Sequence, residues 1–117
     1  MVKKKANDIE KRKAREIKRK NRLNSLRNEY EGNKIKAFDQ VFAIVSETNL
    51  AAELNISAYN FRKKIYDPGE FTISEILRFS SLIGVDYNII ATFIMERIIE
   101  RNAKRESASP ASGQFLR

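Results

Sequence analysis

Residues 47–66, ETNLAAELNISAYNFRKKIY, contain two short helix-forming segments separated by a three-residue break. The first segment, 47–54, is followed by Asn55, and asparagine is the non-glycine residue that best tolerates a left-handed turn. Ser57 is a favourable N-cap for the second segment, 58–66. The stretch therefore predicts two short helices that meet at a sharp turn.

The apolar residues of this stretch fit that geometry. Two helices that cross steeply need a small residue where they touch and apolar anchors that hold the second against the first. Ala51 is the small residue, Ile56 is the buried plug after the turn, and Phe61 and Ile65 are the anchors. The polar side of the second helix is then free to enter the major groove of DNA, which accepts a helix by its width and depth.

This arrangement resembles the helix-turn-helix of the phage repressor/Cro-like (XRE) family. The first matching motif is L-A-x-x-L-x-I-S, here Leu50, Ala51, Leu54, Ile56 and Ser57. The second is L-x-G-V-D, here Leu82, Gly84, Val85 and Asp86. The resemblance covers roughly residues 34–95 and implies an all-α fold: a five-helix, repressor-like helix-turn-helix domain preceded by a basic N-terminal helix.

Two positions depart from the family pattern. The turn has Asn55 where such motifs usually have glycine, which is sterically acceptable. Glu47, the first residue of the first helix, is acidic where the family often has glutamine, a residue that helps to position a phosphate contact. The second departure bears on the tightness of specific DNA binding rather than on the fold.

The resemblance also implies which residues touch DNA. Bases would be met by the start and outer face of the second helix, at Ser57, Ala58, Tyr59, Arg62, Lys63 and Tyr66. Arg62 is the best candidate for bidentate guanine recognition, worth about 1–3 kcal/mol of discrimination. Asn60 and Lys64 would contact the DNA backbone, as would Thr48 and Thr72 through free amides at helix N-termini. The alternative for each of these residues is a solvated surface position.

The net charge of +8 is unevenly placed along the chain. Residues 1–22 contain eleven Lys/Arg and three acidic residues, whereas residues 23–117 contain twelve of each. Such asymmetry indicates a polyanionic partner for the first segment. The predicted backbone contacts there are Lys11, Arg12, Lys13, Arg15, Lys18, Arg19, Lys20 and Arg22.

Other interpretations of this basic segment remain. It is either a nucleic-acid arm or a solvated charged spacer, and the choice between DNA and RNA is open. Single-strand binding proteins usually interleave aromatic residues, and the segment has none before Tyr30. A membrane-surface helix is disfavoured because the segment lacks an apolar face.

Outside the central stretch, four further helices are predicted. Residues 3–31 are helical by propensity, and Ile35, Phe38, Val41, Phe42 and Val45 mark an amphipathic helix over 34–45. Thr72 and Glu75 form a capping box for a helix over 73–83 that ends at Gly84. Its inward residues are expected to be Ile73, Ile76, Leu77 and Ile83. The resulting organisation is a basic arm (1–33), a helix-turn-helix domain (34–104) and a disordered tail (105–117).

The last predicted helix, 87–104, is apolar over more than the roughly 100° stripe that packing on one small core needs. The excess predicts a homodimer or another protein partner, through Ile90, Phe93, Ile94 and Ile98. A homodimer would place two recognition helices on two half-sites one turn apart. The alternative is that Leu23, Leu26 and Tyr30 fold back and cover this helix.

Composition narrows the function. The chain has no Cys and no His, so disulfides, ordinary structural zinc and the commonest general base are excluded. No apolar run approaches a membrane span and no secretory signal is visible, which predicts a cytoplasmic protein. No catalytic residues, cofactor, metal or small-molecule ligand are indicated, so the expected protein is not an enzyme.

Two functions remain. The first is a DNA-binding transcriptional regulator that acts as a repressor on double-stranded DNA. The second is a phage or mobile-element structural or packaging protein that binds nucleic acid non-specifically within a larger assembly.

Overall fold

A computed structural model of the protein describes residues 2–108, with side chains for residues 8–106. All regular elements in that range are helical, which confirms the all-α prediction there. The α-helices are α1 (Val2–Glu31), α2 (Phe38–Phe42), α3 (Glu47–Glu53), α4 (Ala58–Tyr66), α5 (Ile73–Ile83) and α6 (Tyr87–Ala108). A short 3-10 helix, Pro68–Glu70, connects α4 to α5. Of the predicted tail, residues 105–108 belong to α6, and residues 109–117 lie outside the described range.

The starts of α3, α4 and α5 follow local capping chemistry. The Ser46 hydroxyl accepts the amide hydrogen of Asn49 at 3.2 Å, and the Ser57 hydroxyl accepts that of Asn60 at 3.1 Å. Such bonds satisfy amides that have no partner within the helix. The predicted capping box before α5 is also present (see below), and the predicted bounds of these three helices agree with the structure to within one residue.

The turn between α3 and α4 is closed by Asn55, as predicted. Its φ angle is 58°, in the left-handed region. The Ile56 amide donates to the Ala51 carbonyl at 2.9 Å, and the Asn55 amide donates to the Ala52 carbonyl at 3.1 Å. This is the Schellman pattern, which satisfies carbonyls at a helix C-terminus while the chain changes direction. The α4 helix therefore starts on a new course and does not continue α3.

One apolar core connects all six α-helices. Phe61 of α4 meets Phe42 and Phe71 edge to face, with ring centroids 6.1 and 6.2 Å apart. Phe38 meets Phe93 of α6 in the same way at 5.1 Å. The buried apolar residues are Leu23, Leu26, Tyr30, Ile35, Phe38, Val41, Val45, Leu50, Ala51, Leu54, Phe61, Ile76, Phe79, Ile83, Ile90, Phe93 and Ile94.

The length of one predicted helix and the buried face of another differ from the structure. The helix predicted over 34–45 is only the five-residue α2, because the side chain of Gln40 accepts the Ala37 amide hydrogen and donates to the Lys34 carbonyl. Those bonds hold the preceding chain outside the helix. In α5 the predicted inward residues Ile73 and Leu77 are exposed, since α6 and α1 cover the face that carries Ile76, Phe79, Ser80 and Ile83.

The C-terminal third of α1 belongs to the core. Leu23, Leu26 and Tyr30 are buried, and the Tyr30 ring meets Phe79 edge to face at 5.9 Å and Phe93 at 5.4 Å. Burial raises the pKa of the Tyr30 hydroxyl, so this side chain stays neutral. The predicted boundary at residue 33 therefore does not separate an independent arm, because α1 enters the core at Leu23.

This packing corrects the predicted interface on α6. Ile90, Phe93 and Ile94 are buried within one chain and Ile98 is half-buried, so the first three are core residues that a second copy does not reach. The apolar surface of α6 packs mainly on α5 and the 3-10 helix, and Tyr30 of α1 adds the contact with Phe93 that the alternative explanation predicted. Exposed apolar surface on α6 is left at Met95 and Ile99, which are 57% and 61% exposed.

Candidate nucleic-acid interface

Helix α4 is held by one side and open on the other. Phe61 is buried and Ile65 is half-buried, and these two side chains attach the helix to the core. On the opposite side Tyr59 and Tyr66 are 72% and 74% exposed. All six predicted base-contact residues are exposed: Ser57, Ala58, Tyr59, Arg62, Lys63 and Tyr66. The structure thus leaves on the surface the face that the sequence analysis assigned to DNA.

Arg62 is tied to the first turn of α3. Its Nε and Nη2 atoms lie 3.2 and 3.1 Å from Oε2 of Glu47. The arginine side chain is nevertheless 80% exposed, so the pair is open to solvent. An exposed pair of this kind is worth about 0–1 kcal/mol. Glu47 therefore orients the guanidinium weakly and places a negative charge at the edge of the cationic face.

Two other residues of this face are also positioned by neighbours on α4. The Lys63 ammonium lies 4.9 Å from the centre of the Tyr59 ring, one helical turn away, as a cation–π contact. The Ser57 hydroxyl oxygen accepts the Asn60 amide hydrogen as the N-cap, which leaves the hydroxyl hydrogen able to donate to a ligand. A groove of about 720 Å³ runs beside Tyr59, Lys63 and Tyr66.

Two residues predicted to contact the DNA backbone, Lys64 and Thr72, instead form bonds within the protein. The Lys64 ammonium, on a side chain only 17% exposed, lies 2.9 Å from the Glu75 carboxylate and donates to the Glu70 carbonyl at 3.1 Å. Thr72 donates its amide hydrogen to that same carboxylate at 2.9 Å and accepts the Glu75 amide hydrogen at 3.1 Å. Neither the Lys64 cation nor the Thr72 amide is therefore available to a phosphate.

The charge of Glu75 is stabilised by these partners. Burial alone would raise its pKa, but the hydrogen bond from the Thr72 amide and the ion pair with Lys64 outweigh burial, so the pKa lies below its ordinary value. A carboxylate that stays ionised keeps Lys64 in place. Of the predicted backbone contacts near α4, Thr48 and Asn60 remain exposed.

The basic segment of α1, defined as residues 8–22, is almost entirely open to solvent. Arg19 is the exception: its guanidinium forms a two-point ion pair with Glu53 at the end of α3, with Nη2 3.0 Å from Oε1, and it also contacts Glu16 at 3.0 Å. The hydrogen bond that Arg19 donates to Glu53 raises the pKa of Arg19. Arg19 thus docks α1 on α3. The other predicted contacts in the segment are exposed: Lys11, Arg12, Lys13, Arg15, Lys18, Lys20 and Arg22.

The two cationic regions meet opposite ends of α3. Arg62 of α4 pairs with Glu47 at the start of α3, and Arg19 of α1 pairs with Glu53 at its end. Six residues of helix separate those two carboxylates by about 9 Å along the axis. The basic segment and the face of α4 are therefore distinct surfaces of one body.

A third group of cations, near the C-terminal end of α6, was not predicted from the sequence. The guanidinium of Arg101 in α6 lies 4.5 Å from the centre of the Tyr66 ring and donates to the Tyr66 carbonyl. Arg97 and Arg105 lie one turn before and after it in the helix, and Lys104 is adjacent. The four-residue spacing of the arginines was visible in the sequence, but their position beside α4 depends on tertiary packing.

Comparison with known proteins gives no match: no protein-family model, curated protein or solved structure is similar to the chain. Among the helices of residues 2–108, none has an apolar stretch long enough to cross a membrane. The same part of the chain contains no group of three acidic side chains that converges as a metal site.

Proposed function

We propose that the protein is a regulator that binds double-stranded DNA, with α3 and α4 acting as a helix-turn-helix and α4 lying in the major groove. The observation that carries this proposal is the attachment of α4 by one apolar side, at Phe61, while its Tyr59, Arg62 and Lys63 side faces solvent. A helix that binds in a groove must offer such a face without unfolding its attachment. Occupation of a site by this domain would repress transcription there.

Arg62 is the residue that we assign to base reading. A guanidinium can donate two hydrogen bonds to O6 and N7 of guanine in the major groove. In the free protein its donors are turned toward Glu47 at 3.1 and 3.2 Å. Binding would exchange that exposed ion pair for the base edge, at a cost of about 0–1 kcal/mol.

The basic segment of α1 is assigned to phosphate contacts outside the groove. Seven of its eight cations are exposed, and the eighth, Arg19, pairs with Glu53 at the end of α3 that lies away from the Arg62 partner Glu47. Neutralisation of about five phosphates would give a slope of log K against log salt near −4.5. This contribution adds affinity without sequence preference.

A second copy of the chain is the partner that suits a repressor. Met95 and Ile99, one turn apart on α6, are exposed apolar residues beside half-buried Ile98. Pairing through this strip would bring two α4 helices to two half-sites. Met95→Glu should leave the fold intact and abolish such a dimer, which sedimentation would detect.

The proposed function is tested by selecting binding sites from random duplexes with the full chain at two salt concentrations. We expect a preferred site bound at least about 10³-fold more tightly than random DNA. Arg62→Ala should then cost about 1–3 kcal/mol at one base pair of that site. Arg27→Ala is the matched control. Arg27 is exposed like Arg62, but it lies near the C-terminal end of α1, away from the basic segment. Equal affinity for selected and random duplexes would contradict the regulator.

A packaging or structural role is the second candidate. It is favoured by the concentration of eight cations in residues 8–22 and by the acidic Glu47 at the edge of the α4 face. Such a protein would bind all duplexes about equally and with a steep salt dependence. It would also lose most of its affinity when the basic segment is removed.

A further inference from the structure

The C-terminal turns of α6 lie against the C-terminal end of α4. Tyr66 is the joint: its ring is 4.5 Å from the Arg101 guanidinium, and its carbonyl accepts a hydrogen bond from Arg101. Two grooves share Tyr66 and Arg101, one of about 720 Å³ along α4 and one of about 680 Å³ along α6. The face of α4 and the end of α6 therefore form one continuous surface.

This end of α6 carries a surplus of positive charge. The second groove is lined by Arg97, Arg101, Lys104 and Arg105, with Glu100 as its acidic residue. Glu100 is shared, since it lies 2.6 Å from Arg97 and 3.3 Å from Lys104.

The surplus is only partly neutralised. Arg101 is 3.6 Å from Asp67. Lys104 is 77% exposed, and within the described part of the chain Arg105 forms no ion pair. Two exposed cations thus stand next to the face that we assign to DNA.

We propose that Arg101, Lys104 and Arg105 bind the phosphate backbone of the DNA strand that borders the groove occupied by α4. The inference rests on the proposed function and adds a second phosphate-binding surface, separate from the basic segment of α1. Residues 101 and 105 are one turn apart, about 6 Å along the helix. Arg101 is already oriented by Tyr66, so it offers a preformed contact where α4 ends.

The chemistry of this surface favours a polyanion over an apolar partner. The apolar residues Phe38, Ile65 and Pro68 that line this groove are buried or half-buried, and the exposed apolar residues of α6, Met95 and Ile99, lie outside it. A membrane surface would need exposed apolar side chains of this kind among the cations. Binding to the phosphates of a duplex requires only the cations, because α4 already positions the duplex beside them.

The test compares the salt dependence of duplex binding for the full chain and for Lys104→Gln/Arg105→Gln. Each lost phosphate contact lowers the slope by about 0.9, so we expect a decrease of about 1.8 for the double variant. That corresponds to about a 12-fold smaller loss of affinity between 50 and 200 mM salt. The charge-preserving variant Lys104→Arg/Arg105→Lys should keep the slope of the natural chain.

The matched control is Lys34→Gln/Lys36→Gln. It removes the same charge, and Lys36 lies beside Asn88 at the opposite end of α6. Equal slopes for the control and test variants would show a general charge effect and overturn the inference. The inference would also be overturned if Lys104→Gln/Arg105→Gln lost binding to anionic vesicles but kept the salt slope of the natural chain for duplex DNA. Failure of the natural chain to bind duplex DNA would instead end the proposed function together with this inference.

Discussion

The basic segment of α1 and the exposed face of α4 are both cationic, but their charges are held differently. In α4 the cations have partners within the fold: Arg62 with Glu47, Lys63 with the Tyr59 ring and Lys64 with Glu75. In the basic segment, Arg19 is the described cation that is tied to another helix. One region has many free charges, and the other has few charges in defined places.

Under the proposed function, the difference suits the two regions to different roles. Contacts to phosphates supply affinity and orientation, whereas sequence is read by groups placed against base edges. Exposed lysines and arginines on a helix keep their rotamer freedom and suit the first task. A guanidinium held beside a fixed helix N-terminus suits the second. The number of cations in a segment is therefore a poor guide to where a sequence is read.

The largest effect is expected from detaching α1. Leu26 is fully buried, so Leu26→Ala should lower the free energy of unfolding by about 2–5 kcal/mol through lost burial and a cavity. Ile17→Ala, in the exposed basic segment, should change it by less than about 0.5 kcal/mol. Chemical denaturation of both variants measures the contrast. Similar values for the two would mean that α1 is attached along its whole length or not at all.

Removal of residues 1–18 should separate affinity from specificity. The truncation spares Arg19 and therefore its ion pair with Glu53. If about five phosphate contacts are lost, the slope of log K against log salt becomes shallower by about 4.5. The loss of affinity between 50 and 200 mM salt then becomes about 500-fold smaller than for the natural chain. The ranking of selected over random duplexes should survive. A truncated chain that no longer distinguishes duplexes would place the specificity in α1.

A smaller effect is expected at the acidic edge of α4. Glu47→Gln frees Arg62 and removes a negative charge near the DNA phosphates, so it should tighten duplex binding by up to about fivefold, the value of an exposed ion pair. Glu31→Gln is the charge-matched control, because Glu31 pairs with Arg27 at the end of α1. Weaker binding by Glu47→Gln would show that Glu47 must orient Arg62 for base contact.

The smallest effect concerns the anchor of Lys64. The folded pKa of Glu75 lies below its ordinary value, so ionised Glu75 stabilises the fold above the unfolded pKa, near 4.5. That stability is lost as the pH falls from about 4.5 through the lower folded pKa. Glu75→Gln should flatten this part of the stability profile, whereas Glu10→Gln should not. Parallel acid-unfolding curves for the natural chain and Glu75→Gln would contradict the assignment.

The ends of α3, α4 and α5 were the most predictable features of the fold. Ser57 and the Thr72–Glu75 pair start helices, and Asn55 and Gly84 close them with positive φ angles of 58° and 76°. Capping bonds join residues three to five positions apart, so the residues that form them are visible together in the sequence. The exposed face of α4 was predictable for a similar reason, because Phe61 and Ile65 mark the opposite side.

What the sequence determined by itself is thus the set of helices, the turn at Asn55 and the cationic character of the chain's start. Only the tertiary structure decided which charges are available. Lys64 forms an ion pair with Glu75, Arg19 forms one with Glu53, and Arg101 packs on the Tyr66 ring. These partners lie 11, 34 and 35 residues apart, and their meeting depends on how all six helices pack on a shared core.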